Sequence, residues 1–467
     1  MAGKRGLEVW PDVDLSVAAL LGCEEPRLGI NRRLRGKGMP VTTLGPRTGS
    51  VSGNGDLQRE FVDRWRENGY NCFSSGHKFC REVCPVTQVT RNENHTPTAF
   101  HANVVAMDKG LLNIEDVADD YVHCTQCGGC EIRCPNTLFV GDFYQARTET
   151  VKVVRAARAL LVDKGLDREG WKRWNRLTRE LRNEPVLGTD EEAVEGQPNG
   201  QEHVRDWAEG LDIPVGGETI MFVDCEAAFF RTSNTRATAQ VLQKAGVPFG
   251  LMNEQWCCGG PAAEMGYVEQ SRTFAEHNLA DWRASGVRRV IAIEPHDYVH
   301  FTEDYPAYFG EDFDIEVVQI LELVAELIRD RRLTFERPIN KTVTYHDPCR
   351  LNKRKNIHEA PREILRAIPG LTFKDVDHVT QWSYCSGGGG GLSIEKPELT
   401  AEISSRRLAR ARELDVDMLV SGCVWSERPL ATAGRDVGIE VADIIELVAE
   451  AAGIEIGGRR GASEVTP

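Results

Sequence analysis

Cys124-x2-Cys127-x2-Cys130-x3-Cys134-Pro135 is an array of thiols suited to holding an iron–sulfur cube. Three thiolates separated by two residues in a tight turn reach three corners of one cluster. The fourth, just before a proline, reaches the other cluster of a two-cluster site. Gly128-Gly129 lets the backbone close around the sulfurs, and Pro135 turns the chain away. Structural zinc pairs its thiolates as two separated Cys-x2-Cys units, which this run does not do.

An upstream run, Cys72-x4-His77-x2-Cys80-x3-Cys84-Pro85, is similar but altered. Counting back from Cys84 at the standard spacing puts Cys80, His77 and Ser74 where thiolates are expected, and Cys72 stands in for Ser74. The crossed pattern then gives one [4Fe–4S] cluster to Cys84, Cys124, Cys127 and Cys130, and a second to Cys72, Cys80 and Cys134. His77 is the candidate fourth ligand of the second; the alternative is that it only hydrogen-bonds nearby and the cluster is three-iron or absent. An imidazole in place of a thiolate removes negative charge and raises the potential, as in Rieske centres.

The remaining cysteines are dispersed. Cys225 is followed after 31 residues by Cys257-Cys258-Gly259, then after 34 by Glu294-x2-Asp297. Cys349 is followed after 35 residues by Cys385-Ser386-Gly387, then after 35 by Cys423-x2-Ser426. Glu322-Leu-Val-Ala-Glu326 recurs as Glu446-Leu-Val-Ala-Glu450, and its 124-residue shift also separates Cys225 from Cys349. Ordered landmarks at a nearly constant offset mark a tandem duplication.

The elements that must position these residues divide the chain. From Gln58 to Arg182 the pattern reads as helical, with no alternating β-run. Gly- and Pro-containing acidic sequence from Asn183 to Gly217 reads as a linker. Beyond it, strands are expected at Thr219–Val223, Val287–Ile293, Thr342–His346 and Asp417–Ser421. Helices are expected at Asn234–Ala245, Glu269–Ser285, Glu316–Arg329, Glu359–Ile368, Pro397–Leu414 and Val441–Ala452. This alternation predicts parallel sheets, with Cys225, Glu294, Cys349 and Cys423 just past strand ends, where α/β sheets gather ligands. The fold class is thus α+α/β: an all-helical two-cluster ferredoxin-like domain (58–182), then two tandem α/β repeats (218–336 and 337–456). An N-terminal extension (1–57), the linker (183–217) and a tail (457–467) complete the division.

These residues resemble the CCG-domain iron–sulfur subunits typified by the D-type subunit of heterodisulfide reductase; the iron–sulfur subunits of glycolate oxidase and anaerobic glycerol-3-phosphate dehydrogenase are similar. The family joins a helical two-cluster module to repeats carrying Cys, Cys-Cys-Gly and Cys-x2-Cys, and in heterodisulfide reductases five such cysteines hold a cluster that cleaves a disulfide. Here both repeats depart from the pattern. The first has Glu294 and Asp297 for its last two cysteines, hard oxygen donors suited to a divalent ion. Cys225, Cys257, Cys258, Glu294 and Asp297 are therefore weaker candidates for a metal in the first repeat. The second has Ser386 and Ser426, leaving Cys349, Cys385 and Cys423 for a third cluster completed by Ser386, Ser426, His346 or an exogenous ligand. The five glycines Gly387 to Gly391 beside them permit close backbone approach, with Gly387, Gly388 and Gly389 as candidate amide donors to an anionic group.

Other residues read more plainly. Cys23 is an inert thiol, His123 packs near the cluster, and Trp256 and Tyr384 shield the dispersed sites. The basic run Arg350 to Lys355 reads as a solvated loop or as a patch steering an acidic partner.

Acids (71) outnumber Lys plus Arg (56), giving net charge −15, which argues against a nucleic-acid surface. No segment is long and apolar enough to span a bilayer. Cysteines without a secretory signal favour metal or redox use in a cytoplasmic protein, peripheral at a membrane only through a partner. The sequence lacks a dinucleotide-binding Gly-x-Gly-x-x-Gly after a strand. We therefore expect an electron-transfer subunit fed by a flavoprotein or dehydrogenase subunit, with a membrane quinone-reactive subunit as a further partner. The rival expectations are a reductase acting on a disulfide at Cys349/Cys385/Cys423 and a structural subunit with vestigial repeats.

Overall fold

Helix Leu57–Ser74 begins where the Asp56 carboxylate accepts the amides of Gln58 and Arg59. It buries Phe61, Val62 and Trp65 against Phe100 and Val104 of helix Pro97–Asp108 and Val153, Val154 and Leu160 of helix Thr150–Asp163. Thr96 caps the second of these, its hydroxyl accepting the Ala99 amide at 3.1 Å. Helix Glu169–Leu181 follows, with Trp171 and Trp174 buried. The computed structural model describes residues 56–135, 137–140, 143–146, 148–183, 203–376 and 382–457. Cys23, nearly all of the N-terminal extension, much of the linker and most of the tail lie outside the described residues.

The all-helical expectation for this region needs correction. Directly after Cys134 the strands β1 (Thr137–Val140) and β2 (Phe143–Ala146) pair antiparallel, Val140 opposite Phe143. Gly141-Asp142 between two β-branched and aromatic runs is a hairpin signature that outweighs the surrounding helical periodicity.

The repeats form two parallel sheets. The first is ordered β3 (Thr219–Phe222), β4 (Arg289–Ala292), β5 (Glu316–Gln319). Gly250 extends it on the β3 side, its amide donating to Thr219 and its carbonyl accepting from Met221. The second runs β7 (Thr372–Phe373), β6 (Thr342–Tyr345), β8 (Met418–Ser421), β9 (Glu440–Asp443). The Gly250 bridge occupies the place of β7, so the two sheets share one plan. Strands β5 and β9 correct the expectation of continuous helices at Glu316–Arg329 and Val441–Ala452. Each gives way to a helix without an intervening turn, at Gln319 and Asp443, whose side chains cap the amides of Leu321 and Ile445.

The repeats pack reciprocally. Helix Thr232–Lys244 of the first lies against Ile444–Ala451 of the second, and Ile320–Arg329 of the first against Glu359–Ala367 of the second. This exchange is an approximate two-fold, and one apolar core runs through both repeats. The two-fold brings the carboxyl ends of β4 and β8, and hence Glu294 and Cys423, face to face.

Candidate functional site

The loop carrying Cys124, Cys127 and Cys130 is tight because Gln126 (φ 52°) and Gly128 (φ 76°) are both left-handed. A glutamine there is strained, and its surroundings hold it. Its side-chain Nε2 donates to the Glu264 carbonyl at 2.7 Å, and its backbone carbonyl accepts from Arg350 at 2.6 Å. Cys84 lies within electrostatic reach of Cys127 and Cys124, and burial pushes its thiol up to about 12. Burial likewise raises Cys124 to about 11. Thiols so disfavoured as free thiolates are stabilised in that form by bound metal, so this all-sulfur set fits an iron–sulfur cluster.

Cys72, Cys80 and Cys134 form a second group. Burial, then the proximity of Cys80 and Cys134, pushes the Cys72 thiol up to about 12. Two hydroxyls approach these sulfurs, Thr98 Oγ1 at 3.4 Å from Cys80 and Thr148 Oγ1 at 3.2 Å from Cys134. Both ring nitrogens of His77 are buried without a hydrogen-bond partner, and the ring stacks on Phe79. His123 packs as expected, stacked on His95 at 3.6 Å, with Nδ1 against the Asp119 carbonyl.

In the second repeat, Cys349 opens a helix after β6, Cys385 precedes the glycine run, and Cys423 follows β8. Cys385 is electrostatically close to both Cys127 of the helical module and Cys349, which with burial push its thiol well up. Cys385, with the nearby Lys353 charge, holds Cys127 well below the ordinary thiol range. Cys349's own interaction with Cys385, with the charges of Arg350 and Lys353, brings its thiol down to about 6. Cys349, Cys385, Cys423 and Glu294 line a single cavity of about 50 Å³, with Ser386 and Ser426 on its wall.

The amides of the glycine run serve different partners. The Gly387 amide faces Cys385 Sγ at 3.3 Å, whereas that of Gly390 donates to Glu264 at 3.1 Å. The rest of the run is a docking surface. A Cβ on Gly390 would stand 2.7 Å from the Cys124 carbonyl, and one on Gly388 2.4 Å from that of Trp425. The basic run Arg350 to Lys355 is likewise neither a loop nor a free patch. It lies in helix Cys349–Lys355, where Arg350 pairs with Glu264 and both Arg354 and Lys355 pair with Glu303.

In the first repeat Cys225, Cys257 and Cys258 are all buried, and burial with the nearby Asp297 pushes the Cys258 thiol well up. Donor atoms of Cys258, His296 and Asp297 lie within 4.8 Å of one another. His296 lies inside Glu294-x-x-Asp297 but outside the cysteine pattern, so spacing alone does not mark it. Glu294, expected with this set, instead makes its hydrogen bonds across the two-fold, to Cys423 Sγ (2.8 Å) and the Val424 amide (3.0 Å). Trp256 stacks on His277 at the edge of this repeat.

Two buried residues that the sequence did not single out tie these groups together. Burial pushes the Glu264 carboxyl up, but Arg350 and His296 outweigh that and hold it well below the usual carboxylate range. Arg158, 0% exposed, donates to the carbonyls of Tyr121, Val122 and Cys124 in the helical module, Glu264 in the first repeat and Gly390 in the second.

Comparison with known proteins agrees with this architecture. A cysteine-rich CCG domain matches residues 219–302 and 343–425, and a 4Fe-4S dicluster domain matches 69–138. The chain is 32% identical over 350 residues to the D-type subunit of the dihydromethanophenazine:CoB–CoM heterodisulfide reductase of Methanosarcina mazei, covering 73% of this chain and 80% of that one. It is 26% identical to the B-type subunit of the fumarate reductase (CoM/CoB) of Methanothermobacter marburgensis (70% and 60% covered) and to an EtfAB:quinone oxidoreductase of Syntrophomonas wolfei (76% and 49%). A hypothetical protein from Helicobacter pylori shares the fold, with TM-score 0.53 at 13% identity over 85% of this chain and 76% of that one. Clustered thiols, a two-cluster helical module and paired cysteine-rich repeats place the chain in the CCG-domain iron–sulfur family of the heterodisulfide reductase D-type subunits, whose members are electron-transfer proteins.

Proposed function

We propose that this chain relays electrons within a multi-subunit oxidoreductase, between a flavoprotein or dehydrogenase subunit and a second acceptor. One [4Fe–4S] cluster is assigned to Cys84, Cys124, Cys127 and Cys130, a second to Cys72, Cys80, Cys134 and His77, and a third iron–sulfur centre to Cys349, Cys385 and Cys423. The observation that carries the reading is the docking of the module's cysteine loop on the second repeat: Gly390 packs against the Cys124 carbonyl, and Arg350, next to Cys349, donates to the Gln126 carbonyl at 2.6 Å. The relatives named for heterodisulfide, fumarate and quinone reactions support a subunit that serves different terminal chemistries. Among the described residues no helix is long and apolar enough to cross a membrane, so a quinone-reactive partner is assigned any membrane contact.

Substrate reduction at the third centre is the less favoured reading. Its cavity of about 50 Å³ is far below the ~300–1,000 Å³ of small-molecule sites. In the first repeat, Cys258, His296 and Asp297 offer a mixed donor set suited to a divalent ion such as zinc, with Cys225 and Cys257 beside it.

Anaerobic preparations should hold about twelve irons per chain, four for each cluster. About eight would strip the second repeat of its centre, and fewer than about four would overturn the relay. His77→Cys should leave the iron content unchanged and lower the potential of one cluster, because a thiolate adds negative charge. An unchanged potential and spectrum would remove His77 from the ligand set.

A further inference from the structure

We infer that Glu294, a residue of the first repeat, is an oxygen ligand of the centre assigned to Cys349, Cys385 and Cys423 of the second. The inference rests on that third centre and adds its missing donor. Three thiols leave a tetrahedral iron site one ligand short, and the cavity shows what else reaches it. Ser386 and Ser426 face it, but their hydroxyls bond each other at 3.0 Å. His346 lies outside the cavity lining, its Nδ1 accepting from Arg407 at 3.2 Å. Glu264 and His296 also line it, but Glu264 is paired with Arg350, and His296 lies 3.4 Å from Glu264 and groups with Cys258 and Asp297. Glu294 is on the cavity wall with all three cysteines.

Its carboxylate is already aimed. The Val424 amide, in the first turn of helix Val424–Val437, holds Oε2 at 3.0 Å, leaving Oε1 on the sulfur side, 2.8 Å from Cys423 Sγ. No lysine or arginine among the described residues forms an ion pair with Glu294, although it is only 2% exposed. A buried carboxylate is costly unless a cation or metal compensates it. A metal on the adjoining thiolates meets that need. The approximate two-fold accounts for the geometry: Glu294 and Cys423 are the same position of the duplicated unit, 129 residues apart, and meet across the axis. The first repeat thus completes the metal set of its twin.

Glu294→Gln and Glu294→Cys, prepared anaerobically as full chains enriched in 57Fe, test the assignment by Mössbauer and EPR spectroscopy. The signals of the two module clusters report whether each variant folds. Glu294→Gln should change the spectrum of the third centre or lower iron by up to about four per chain, while the module signals persist. Glu294→Cys should restore the iron, with a spectrum altered toward all-sulfur ligation. A wild-type chain with about twelve irons whose third-centre spectrum is identical in Glu294→Gln overturns Glu294 as a ligand and leaves the relay standing. A wild-type chain with about eight irons overturns both the third centre and this assignment.

Discussion

Cys127→Ala should cost the protein about four irons per chain, with the cluster assigned to Cys72, Cys80 and Cys134 retained. The effect is expected to be larger than one lost ligand implies. Cys127 sits between two left-handed residues, so the loop has no slack with which a neighbouring donor could replace it. It is also the module thiol most strongly coupled electrostatically to Cys385, which is coupled in turn to Cys349. Cys130→Ala removes a ligand from the same set but leaves that coupling in place. The two variants should therefore lose the same spectrum, whereas Cys127→Ser, which retains a donor atom, separates ligation from coupling. If it keeps the iron, transfer of electrons from the module to the second repeat should fall while module reduction is unaffected. Stopped-flow absorbance of both steps provides the check, and full iron content in Cys127→Ala would refute the ligand assignment.

Arg158→Met should destabilise the chain by about 3–5 kcal/mol, the cost of breaking a buried charged network on one side. Five carbonyls share this guanidinium at 2.6 to 3.1 Å, and its plane lies 4.7 Å from the centre of the Trp171 ring. Methionine fills much of the same volume but leaves those oxygens buried without donors. Lysine restores the charge, yet its three hydrogens cannot serve five acceptors in a fixed fork, so Arg158→Lys should recover only part of the loss. The guanidinium chloride midpoint of the anaerobically loaded protein is the measurement. A change below about 1 kcal/mol would show that water replaces the guanidinium at these carbonyls.

What the sequence revealed depended on distance along the chain. The tight thiol runs were legible because their geometry is set within a dozen residues, and the duplication because identical offsets survive drift. Strands β5 and β9 were hidden because each flows into an apolar helix with only a capping side chain, Gln319 or Asp443, to mark the change. The hairpin after Cys134 had a local signal at Gly141-Asp142, but a helical neighbourhood masked it. Contacts made by docking left no trace in spacing. Cys127 and Cys385 are far apart in sequence, and Glu294 meets Cys423 only because the repeats face each other. The basic run misled for a related reason: Arg350, Arg354 and Lys355 read as solvated charge until Glu264 and Glu303 are brought against them.

Arg158 also sets a schedule for biogenesis. The ribosome makes it 232 residues before Gly390, the last of its partners to be synthesised. At ~5–20 residues per second, translation needs roughly 10–50 s to span that interval. Throughout it the nascent helical module has no glycine run lying over Cys124 and no Cys385 beside Cys127. Once the segment through Gly390 emerges, it covers the Cys124 carbonyl and closes the loop from behind.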